Sequence, residues 1–428
     1  MAKSGVAAAL LLNKLGSKVT LYDSFNTQLP EGLQTLNLEF CYESQLNKEL
    51  KKFDAIVLSP GIPYNSLFLE EAKKLGIYII GEFELGCQFY QGPIYAITGT
   101  NGKTTTTMLA AHILKYIGKV EMAGNIGLPL SSLSSYDMCV AEVSSFQLES
   151  IHTFHPKIAV VLNLSEDHLD RHITMENYGA IKERIFMNQN KNDYVILNYD
   201  NPYTKDMAKR AKSKVIFFSI NEELKNGVYF KNNEIIVNVQ NKTVSIKVNK
   251  FKLLGLHNLE NAMVAIIISI IVGADKYIIE KAIATFNPID HRLEYVITIN
   301  NVHFYNDSKA TNPESSIKSI VSVKGSIVLI AGGRPKDADY TNWVKTFNGK
   351  VKSLIVIGEA RKKIIDTCKF VGYTNFIEAN SLESAVNIAY SLSTKGDTVL
   401  FSPACSSFDM FKDFELRGQI FKNIVKNL

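Results

Sequence analysis

A glycine-rich loop that ends in lysine and threonine is the segment of this chain best suited to chemistry. Thr98–Thr104 has the sequence TGTNGKT, follows the strand pattern Ile94–Ile97 and precedes the helical pattern Thr105–Tyr116. Glycines let backbone N–H groups approach phosphate oxygens, and the start of a helix adds a positive dipole end. The lysine of such a loop can bridge phosphates, and its threonine can bind magnesium. The predicted nucleotide contacts are Gly99, Thr100, Asn101, Gly102, Lys103, Thr104 and Thr105.

The alternative for this loop is an ordinary glycine-rich turn, because its glycines are separated by two residues instead of the four of the common phosphate loop. The strand–loop–helix context favours phosphate binding.

Further along, Glu142 ends the strand pattern Met138–Val143, and the acidic loop Asn163–His172 follows the next strand pattern. A carboxylate at the carboxyl end of a strand is well placed to hold magnesium. Taken alone, Glu142 would be an ordinary loop glutamate and Lys182, in the helical pattern Tyr178–Phe186, a solvated charge.

Parallel sheets covered by helices are the elements that must position these residues. Short β-rich apolar runs alternate with helical patterns nearly throughout, which predicts the α/β class. Three domains are expected: an incomplete Rossmann-like domain at 1–92, a P-loop ATPase-like domain at 93–289 and a Rossmann-like domain at 290–428. The alternating segment Gly227–Val248, with Asn-Asn and Asn-Lys turn signals, predicts antiparallel hairpins added to the central domain.

Composition limits the classes of function. The 428 residues are 46% hydrophobic and 21% charged, with a net charge of +5, as in an ordinary globular protein without a nucleic-acid partner. The longest apolar run, near Ala262–Val272, is too short to cross a bilayer. None of the five cysteines forms a CxxC pair, which argues against a disulfide framework or a zinc site. We therefore expect a soluble, cytoplasmic protein without a membrane partner.

The loop Gly99–Thr104 resembles the ATP loop of the Mur ligases and of the folylpolyglutamate synthases. The resemblance implies an ATP-dependent ligase in which a substrate carboxylate takes the γ-phosphate and an amine then displaces phosphate through a tetrahedral intermediate. Ala141–Glu149, AEVSSFQLE, is similar to the ELSSFQL segment of the Mur family. That similarity implies that Glu142 binds magnesium and that Ser144 and Gln147 contact the substrate.

The same resemblance assigns roles along the central domain. His168 is implied to help bind a second magnesium ion, and Lys182 to be carbamylated, its amine having added CO₂ to become an anionic oxygen ligand. Asn258 and Asn261 lie one helical turn apart and could present amides to adenine, although Asn258 could equally cap its helix; the family motif favours adenine. Arg292 is implied to reach the nucleotide phosphates. The implied catalytic and metal-binding residues are Lys103, Thr104, Glu142, His168 and Lys182.

Three loops of the last domain resemble the branch of the family that adds D-glutamate to UDP-N-acetylmuramoyl-L-alanine in peptidoglycan synthesis. Their sequences are NDSKATN at Asn306–Asn312, AGGRPKD at Ala331–Asp337 and SPACSSFDMFKDF at Ser402–Phe414. Asp307 and Lys309 are implied to face the nucleotide, and Cys405 is interpreted as a packing residue. The implied contacts to the amino acid are Thr311, Lys336, Ser407, Phe408 and Phe414.

The UDP-sugar site is implied to lie at Ser24, Ser59 and Gly61, with Asn125 as a further substrate contact. Because Met1–Gly5 looks like the tail of a glycine loop whose strand is missing, we expect either a fragment or an internal start, and weak binding of the UDP substrate. A monomer is expected. The competing interpretations are a folylpolyglutamate synthase and a non-catalytic nucleotide-binding regulator. The regulator would have lost residues such as Lys103, and none of the implied catalytic residues is lost.

Overall fold

The structure, a computed structural model, divides into two compact units. The first unit is Met1–Leu164, Thr174–Asn249 and Asn261–Ile283, and the second is Ser165–Ile173, Lys250–Glu260 and Ala284–Leu428. The predicted domain boundaries after residues 92 and 289 stay predictions. The structure describes residues 3–23, 33, 38–41, 50–133, 138–239, 242–248, 255–286, 290–335 and 338–428.

Strands and helices alternate along the chain, as the sequence predicts. The strands are β1 (Thr20–Tyr22), β2 (Glu39–Cys41), β3 (Ala55–Leu58), β4 (Tyr78–Gly81), β5 (Ile94–Thr98), β6 (Val120–Gly124), β7 (Met138–Glu142), β8 (Ile158–Val161), β9 (Tyr194–Asn198), β10 (Lys214–Ser219), β11 (Gly227–Lys231), β12 (Glu234–Val239), β13 (Lys242–Lys247), β14 (Glu294–Ile299), β15 (Val302–Asn306), β16 (Ile327–Gly332), β17 (Val351–Ile357), β18 (Phe376–Glu378) and β19 (Thr398–Phe401). The α-helices are α1 (Lys3–Lys14), α2 (Leu67–Lys74), α3 (Glu82–Phe89), α4 (Lys103–Leu114), α5 (Ser145–Leu148), α6 (Leu169–His172), α7 (Met175–Glu183), α8 (Pro202–Met207), α9 (Leu256–Val272), α10 (Lys276–Thr285), α11 (Pro313–Ser322), α12 (Thr341–Lys345), α13 (Arg361–Val371), α14 (Leu382–Leu392) and α15 (Phe414–Lys426). Within the described residues, no helix is long and apolar enough to span a bilayer.

A nine-stranded sheet organises the first unit, in the order β13-β12-β11-β10-β9-β8-β5-β7-β6. The strands from β6 to β11 pair in parallel, while β11, β12 and β13 pair antiparallel, which confirms the predicted hairpins. Asn232 and Asn233 turn the first hairpin with φ of 52° and 62°, the conformation that a two-residue turn between twisted strands requires. β5 is buried at every residue and so fixes the start of the glycine loop.

Two small parallel sheets, β1–β2 and β3–β4, precede this large sheet, and α3 joins them to it. α3 carries two buried carboxylates. Glu82 accepts hydrogen bonds from the backbone N–H and the hydroxyl of Ser131, and burial raises its pKa. Glu84 accepts from the backbone N–H groups of Thr153 and Phe154. These bonds fasten α3 to segments beside the large sheet of the same unit.

The second unit contains a six-stranded sheet in the order β14-β15-β19-β16-β17-β18, in which only β14 and β15 pair antiparallel. Helices cover both faces, with Trp343 in one core layer and Phe421 in the other. β15, β19 and β16 are neighbours. Because parallel strands end at one edge of the sheet, the three loops that follow these strands emerge side by side. The predicted α/β class with mainly parallel sheets is confirmed.

Candidate active site

The glycine loop between β5 and α4 adopts a backbone that only glycine accepts easily. Gly99 and Gly102 have φ of +149° and +87°. A Cβ at Gly102 would lie 2.3 Å from Oδ1 of Asn261, so the loop and this predicted adenine contact pack directly together. Asn261 also accepts a hydrogen bond of 3.1 Å from the Thr106 hydroxyl in the first turn of α4. The start of α4 and Asn261 are therefore held together.

Lys103 begins α4 and folds back over the loop. Its Nζ donates hydrogen bonds of 2.8 Å to the backbone oxygens of Gly99 and Thr100. Thr104 is half-buried and Thr105 is buried in the same turn. An ammonium group at the start of a helix can exchange these neutral backbone oxygens for the phosphate oxygens of a nucleotide as its hydrogen-bond acceptors.

Asn163 fastens the loop from the opposite side, a role that the sequence analysis missed. The backbone N–H of Asn101 donates to Oδ1 of Asn163 over 2.8 Å, and Nδ2 of Asn163 donates to the backbone oxygen of Asn101 over 3.1 Å. The backbone oxygen of Asn163 accepts from Thr100. The only signal in the sequence was the position of Asn163 directly after a buried strand.

Lys182 is buried, with 1% of its surface exposed, so it is not the solvated charge that its helical context alone suggested. Its Nζ donates to the Thr98 hydroxyl over 3.3 Å and to the Gly99 oxygen over 3.0 Å. The same atom lies 4.8 Å from the centre of the Tyr178 ring. Lys182 therefore reaches the end of β5 and the first glycine of the loop from α7.

Glu142 ends β7, the strand next to β5, and is 2% exposed. Its Oε1 accepts a hydrogen bond of 2.7 Å from Nδ2 of Asn125, and its backbone oxygen accepts from the Asn125 N–H. Within the described chain, no group donates to Oε2. A buried carboxylate oxygen without a donor is costly and is well suited to a cation. The geometry at Glu142 therefore fits a magnesium ligand.

Thr104, Glu142 and Lys182 belong to the first unit, whereas His168 belongs to the second. In the described part of the chain, no three His, Cys, Asp or Glu side chains form a group that could hold a metal ion. Two of the predicted magnesium ligands, Thr104 and Lys182, are of other residue types. The set therefore stays a prediction, and the oxygen of Glu142 is the observation that fits it.

Ser144 and Gln147 form a capping box at the start of α5. The Ser144 side chain accepts from the Gln147 N–H, and Oε1 of Gln147 accepts from the Ser144 N–H over 2.9 Å. These bonds order the turn that follows Glu142. The predicted contact of both side chains with the substrate stays a prediction, and the structure gives them a local role as well.

In the second unit, Asn258 is buried in the first turn of α9, and Arg292 donates from Nη1 to the Ser315 hydroxyl over 3.3 Å. His257 lies beside these groups. Burial, together with the positive charges of Arg292 and Lys318, lowers the pKa of His257 to about 3. The His257 imidazole is therefore neutral at physiological pH and adds no positive charge to those of Arg292 and Lys318.

Asp307 is fully buried and binds its own loop and its neighbours. Its carboxylate accepts from the hydroxyls of Ser319 and Ser402 over 2.5 and 2.7 Å and from the Leu293 N–H over 3.1 Å. Burial raises its pKa, against the lowering effect of Arg292 and these bonds. Asp307 therefore connects the loop after β15 with the loop after β19, and its predicted nucleotide contact stays a prediction.

Arg417 in α15 is a second residue that the sequence analysis missed. It is 1% exposed, and its guanidinium donates to the hydroxyl and backbone oxygen of Ser308 and to the backbone oxygen of Cys405. Gly333 packs against Nη1. Burial lowers the pKa of Arg417 to about 10, so the group remains charged at pH 7. One side chain thus touches all three predicted amino-acid loops.

The predicted contacts to the amino acid lie around this centre. Ser407 is buried, Phe408 is exposed and Phe414 is half-buried at the start of α15. Nζ of Lys309 lies 5.1 Å from the centre of the Phe414 ring. The Thr311 N–H donates to the Lys309 oxygen, which folds this loop tightly. Lys336 lies outside the described residues.

Cys405 is buried 3.0 Å from the Tyr340 hydroxyl, and burial raises its pKa to about 11, as expected of a packing residue. In the first unit, the Ser59 hydroxyl follows β3 and lies 3.5 Å from the hydroxyl of Ser4 in α1. Gly61 is exposed in the same turn, and Ser24 lies outside the described residues. The start of α1 and the loop after β3 therefore meet, as a phosphate-binding edge would require.

The chain is similar to known proteins over its whole length. Family models for the Mur ligase middle domain and for the Mur ligase glutamate ligase domain match residues 97–269 and 291–405. A Thermoanaerobacter protein named UDP-N-acetylmuramoylalanine–D-glutamate ligase is 45% identical over 437 residues, 99% of this chain and 96% of that protein. A protein of the same name from Caldanaerobacter subterraneus is 46% identical over 436 residues, with the same two shares. The solved structure of a pseudomurein peptide ligase type C from Methanothermus fervidus shares the fold, with a TM-score of 0.65 and 18% identity over 100% of this chain and 98% of that one. This chain belongs to the Mur ligase family.

Proposed function

We propose that this Mur ligase uses ATP to join D-glutamate to UDP-N-acetylmuramoyl-L-alanine in peptidoglycan precursor synthesis, as a cytoplasmic monomer. The observation that carries the proposal is the meeting of three loops, after β15, β16 and β19, around the buried Arg417. These loops carry the sequences by which the D-glutamate branch was inferred. The relatives that cover the whole chain bear that enzyme's name, which supports the same substrates.

A division of labour among three domains is part of this proposal. Residues 1–92 bind the UDP group with Ser24, Ser59 and Gly61, and residues 93–289 bind ATP. Residues 290–428 bind D-glutamate through side chains including Thr311 and Lys336. Each proposed domain then binds one substrate, so the reaction requires all three domains.

The reaction proceeds in two balanced steps. A carboxylate oxygen of UDP-N-acetylmuramoyl-L-alanine attacks the γ-phosphorus of ATP, the bond to the bridging oxygen breaks and ADP leaves. The neutral amine of D-glutamate then attacks the acyl carbon, and the tetrahedral intermediate expels phosphate and a proton as the amide forms. Lys103 and the N–H groups at the start of α4 hold the transferred phosphoryl group.

Divalent metal would be held by Thr104, Glu142, His168 and carbamylated Lys182. When bound, magnesium supplies positive charge to phosphate oxygens whose negative charge otherwise repels the attacking carboxylate. The chain's own contribution is to keep acceptor oxygens such as Oε2 of Glu142 dry and in place. Two magnesium ions fit the four proposed ligands.

Phosphate release measured with UDP-N-acetylmuramoyl-L-alanine and a panel of D- and L-amino acids tests the proposal. We expect turnover with D-glutamate that Lys103→Ala abolishes, and a single chain per particle in light scattering. Activity with a folate and L-glutamate, but not with the UDP-sugar, would establish the folylpolyglutamate synthase instead. Nucleotide binding without turnover on any of these substrates would favour a regulator.

A further inference from the structure

The segment that carries His168 belongs to the compact unit that also contains the loops proposed to bind D-glutamate. Ser165–Ile173 is part of the second compact unit, although the chain before and after it belongs to the first. A proposed metal ligand is therefore grouped with the loops proposed to bind D-glutamate. The contacts that fasten this segment decide what happens to His168 when the amino acid binds.

Asp167 is one residue that fastens this segment to the rest of the second unit. Its Oδ2 accepts a hydrogen bond of 3.2 Å from Nδ2 of Asn312 and lies 3.7 Å from Nε2 of His168. Its Oδ1 accepts a hydrogen bond of 3.1 Å from the backbone N–H of His168. The Asp167 side chain is only 10% exposed, so solvent screens these contacts little. One carboxylate thus holds the backbone of His168 by a hydrogen bond and lies close to its ring.

Asn312 connects that carboxylate to the amino-acid loop. Its Oδ1 accepts from the Ser315 N–H over 2.8 Å and caps α11, while its Nδ2 donates to Asp167. Asn312 is 8% exposed and directly follows Thr311, a proposed contact of D-glutamate. A cap on the helix and a bond to Asp167 fix both ends of the amide group. A shift of Thr311 is therefore transmitted to Asp167.

The backbone of the segment is held away from its preferred conformation. His168 has φ of 55° and ψ of 30°, and Ile173 has φ of 70° and ψ of −51°. A β-branched residue rarely adopts a positive φ, and the turn around φ of about +75° is strained. Ile173 is also 74% exposed, so its own side chain contributes little to holding this conformation. The backbone hydrogen bonds that His168 and Leu169 accept within α6 and the bonds at Asp167 are among the contacts that oppose the strain.

We propose that Asn312 is a positioning residue that couples D-glutamate binding to divalent-cation binding at His168. This inference rests on the proposed function. Ordering of the Thr311 loop by D-glutamate fixes the Asn312–Asp167 bond, and Asp167 in turn holds the backbone from which the His168 side chain projects. Because coupling between two ligands is reciprocal, the cation also tightens D-glutamate binding by the same factor, typically about 5- to 150-fold.

The test is Mn²⁺ binding to the full chain, measured from the loss of the free-ion EPR signal with and without saturating D-glutamate. We expect D-glutamate to tighten Mn²⁺ binding at least about fivefold in the unmodified chain. Asn312→Ser keeps a helix-capping hydroxyl but loses the amide donor, so this effect should fall below about twofold. The reversed pair, Asp167→Asn with Asn312→Asp, restores a donor and an acceptor and should regain much of the effect.

Ser381→Ala is the matched control. Ser381 caps α14 in the same unit through the Ser384 N–H, at a distance of 3.0 Å, and has no part in the proposed site. Its loss should lower the melting temperature and leave the D-glutamate effect on Mn²⁺ intact. The inference is wrong if Asn312→Ser keeps the full effect, or if the unmodified chain has none. D-glutamate-dependent phosphate release in the same preparation would then still support the proposed function.

Discussion

Replacing Gly102 by alanine is expected to weaken ATP binding as well as the fold. At φ of +87°, an alanine is strained by about 1 kcal/mol relative to glycine. Its Cβ would also lie 2.3 Å from Oδ1 of Asn261, whereas real Cβ contacts essentially never fall under 3.0 Å. The Asn261 amide must therefore move away from the loop.

That movement has two costs that can be separated. Asn261 loses the hydrogen bond from the Thr106 hydroxyl, which is worth about 1 kcal/mol, so the total loss of stability is about 2 kcal/mol. The movement also takes the Asn261 amide, proposed to contact adenine, away from its position beside the loop. Loss of that contact removes a further 1 to 1.5 kcal/mol or so from ATP binding, which corresponds to a roughly tenfold higher KM for ATP.

Gly372→Ala is the control that isolates the clash. Gly372 has the same φ of +87°, but an added Cβ would meet nothing within 4 Å. It should therefore lose about 1 kcal/mol of stability through strain and keep its KM for ATP. Thermal unfolding and phosphate release at varied ATP concentration measure both quantities. An unchanged KM in Gly102→Ala, or an equal rise in Gly372→Ala, would refute the reasoning.

Three further predictions concern buried polar groups. Glu142→Gln keeps the side-chain shape but removes the charge of the donor-free oxygen, so half-activation should need on the order of 10- to 100-fold more Mg²⁺; an unchanged Mg²⁺ titration contradicts this. Lys182→Met should lower kcat about 100-fold and remove the carbamate signal seen by ¹³C NMR in labelled bicarbonate, whereas wild-type activity would exclude the proposed ligand. His257, whose pKa burial and the charges of Arg292 and Lys318 lower to about 3, resists the proton that the unfolded chain accepts below pH 6.5. Its contribution to stability is lost as the pH falls from about 6.5 towards 3, so His257→Gln should reduce the fall in unfolding free energy between pH 8 and pH 5 by about 2 kcal/mol, measured by urea unfolding; equal slopes contradict it.

The parts of the fold that depend on neighbouring residues could be predicted from the sequence. The glycine loop follows a strand and precedes a helix, and each of these has its own local signal in apolar spacing and glycine position. The Asn232-Asn233 turn favours a hairpin because asparagine tolerates positive φ better than most residues. A two-residue turn pairs the residues on either side of it, here Lys231 and Glu234, and so sets the register of β11 and β12.

The parts that depend on distant residues could not be predicted in this way. Lys182 lies on a helix whose sequence gives no sign of burial, and its contacts include Thr98 and Gly99, more than 80 residues earlier in the chain. The reciprocal amide bonds between Asn101 and Asn163 join residues 62 positions apart. No spacing rule connects such pairs. Resemblance to the family supplied expected roles for Lys182 and His168, but it gave no partners for Asn163.

Arg417 shows why a buried charge can organise a site without taking part in its chemistry. A guanidinium stays protonated even when burial lowers its pKa to about 10, so Nε and Nη2 of Arg417 keep the protons that they donate at physiological pH. Its bonds to Ser308 and Cys405 go to loops that follow adjacent parallel strands. The loops after β16 and β19 already share backbone hydrogen bonds between Arg334 and Ser406. The guanidinium adds bonds that join the loops after β15 and β19. A lysine at the same place would offer a single charged centre, and it could not hold both backbone oxygens in the same plane.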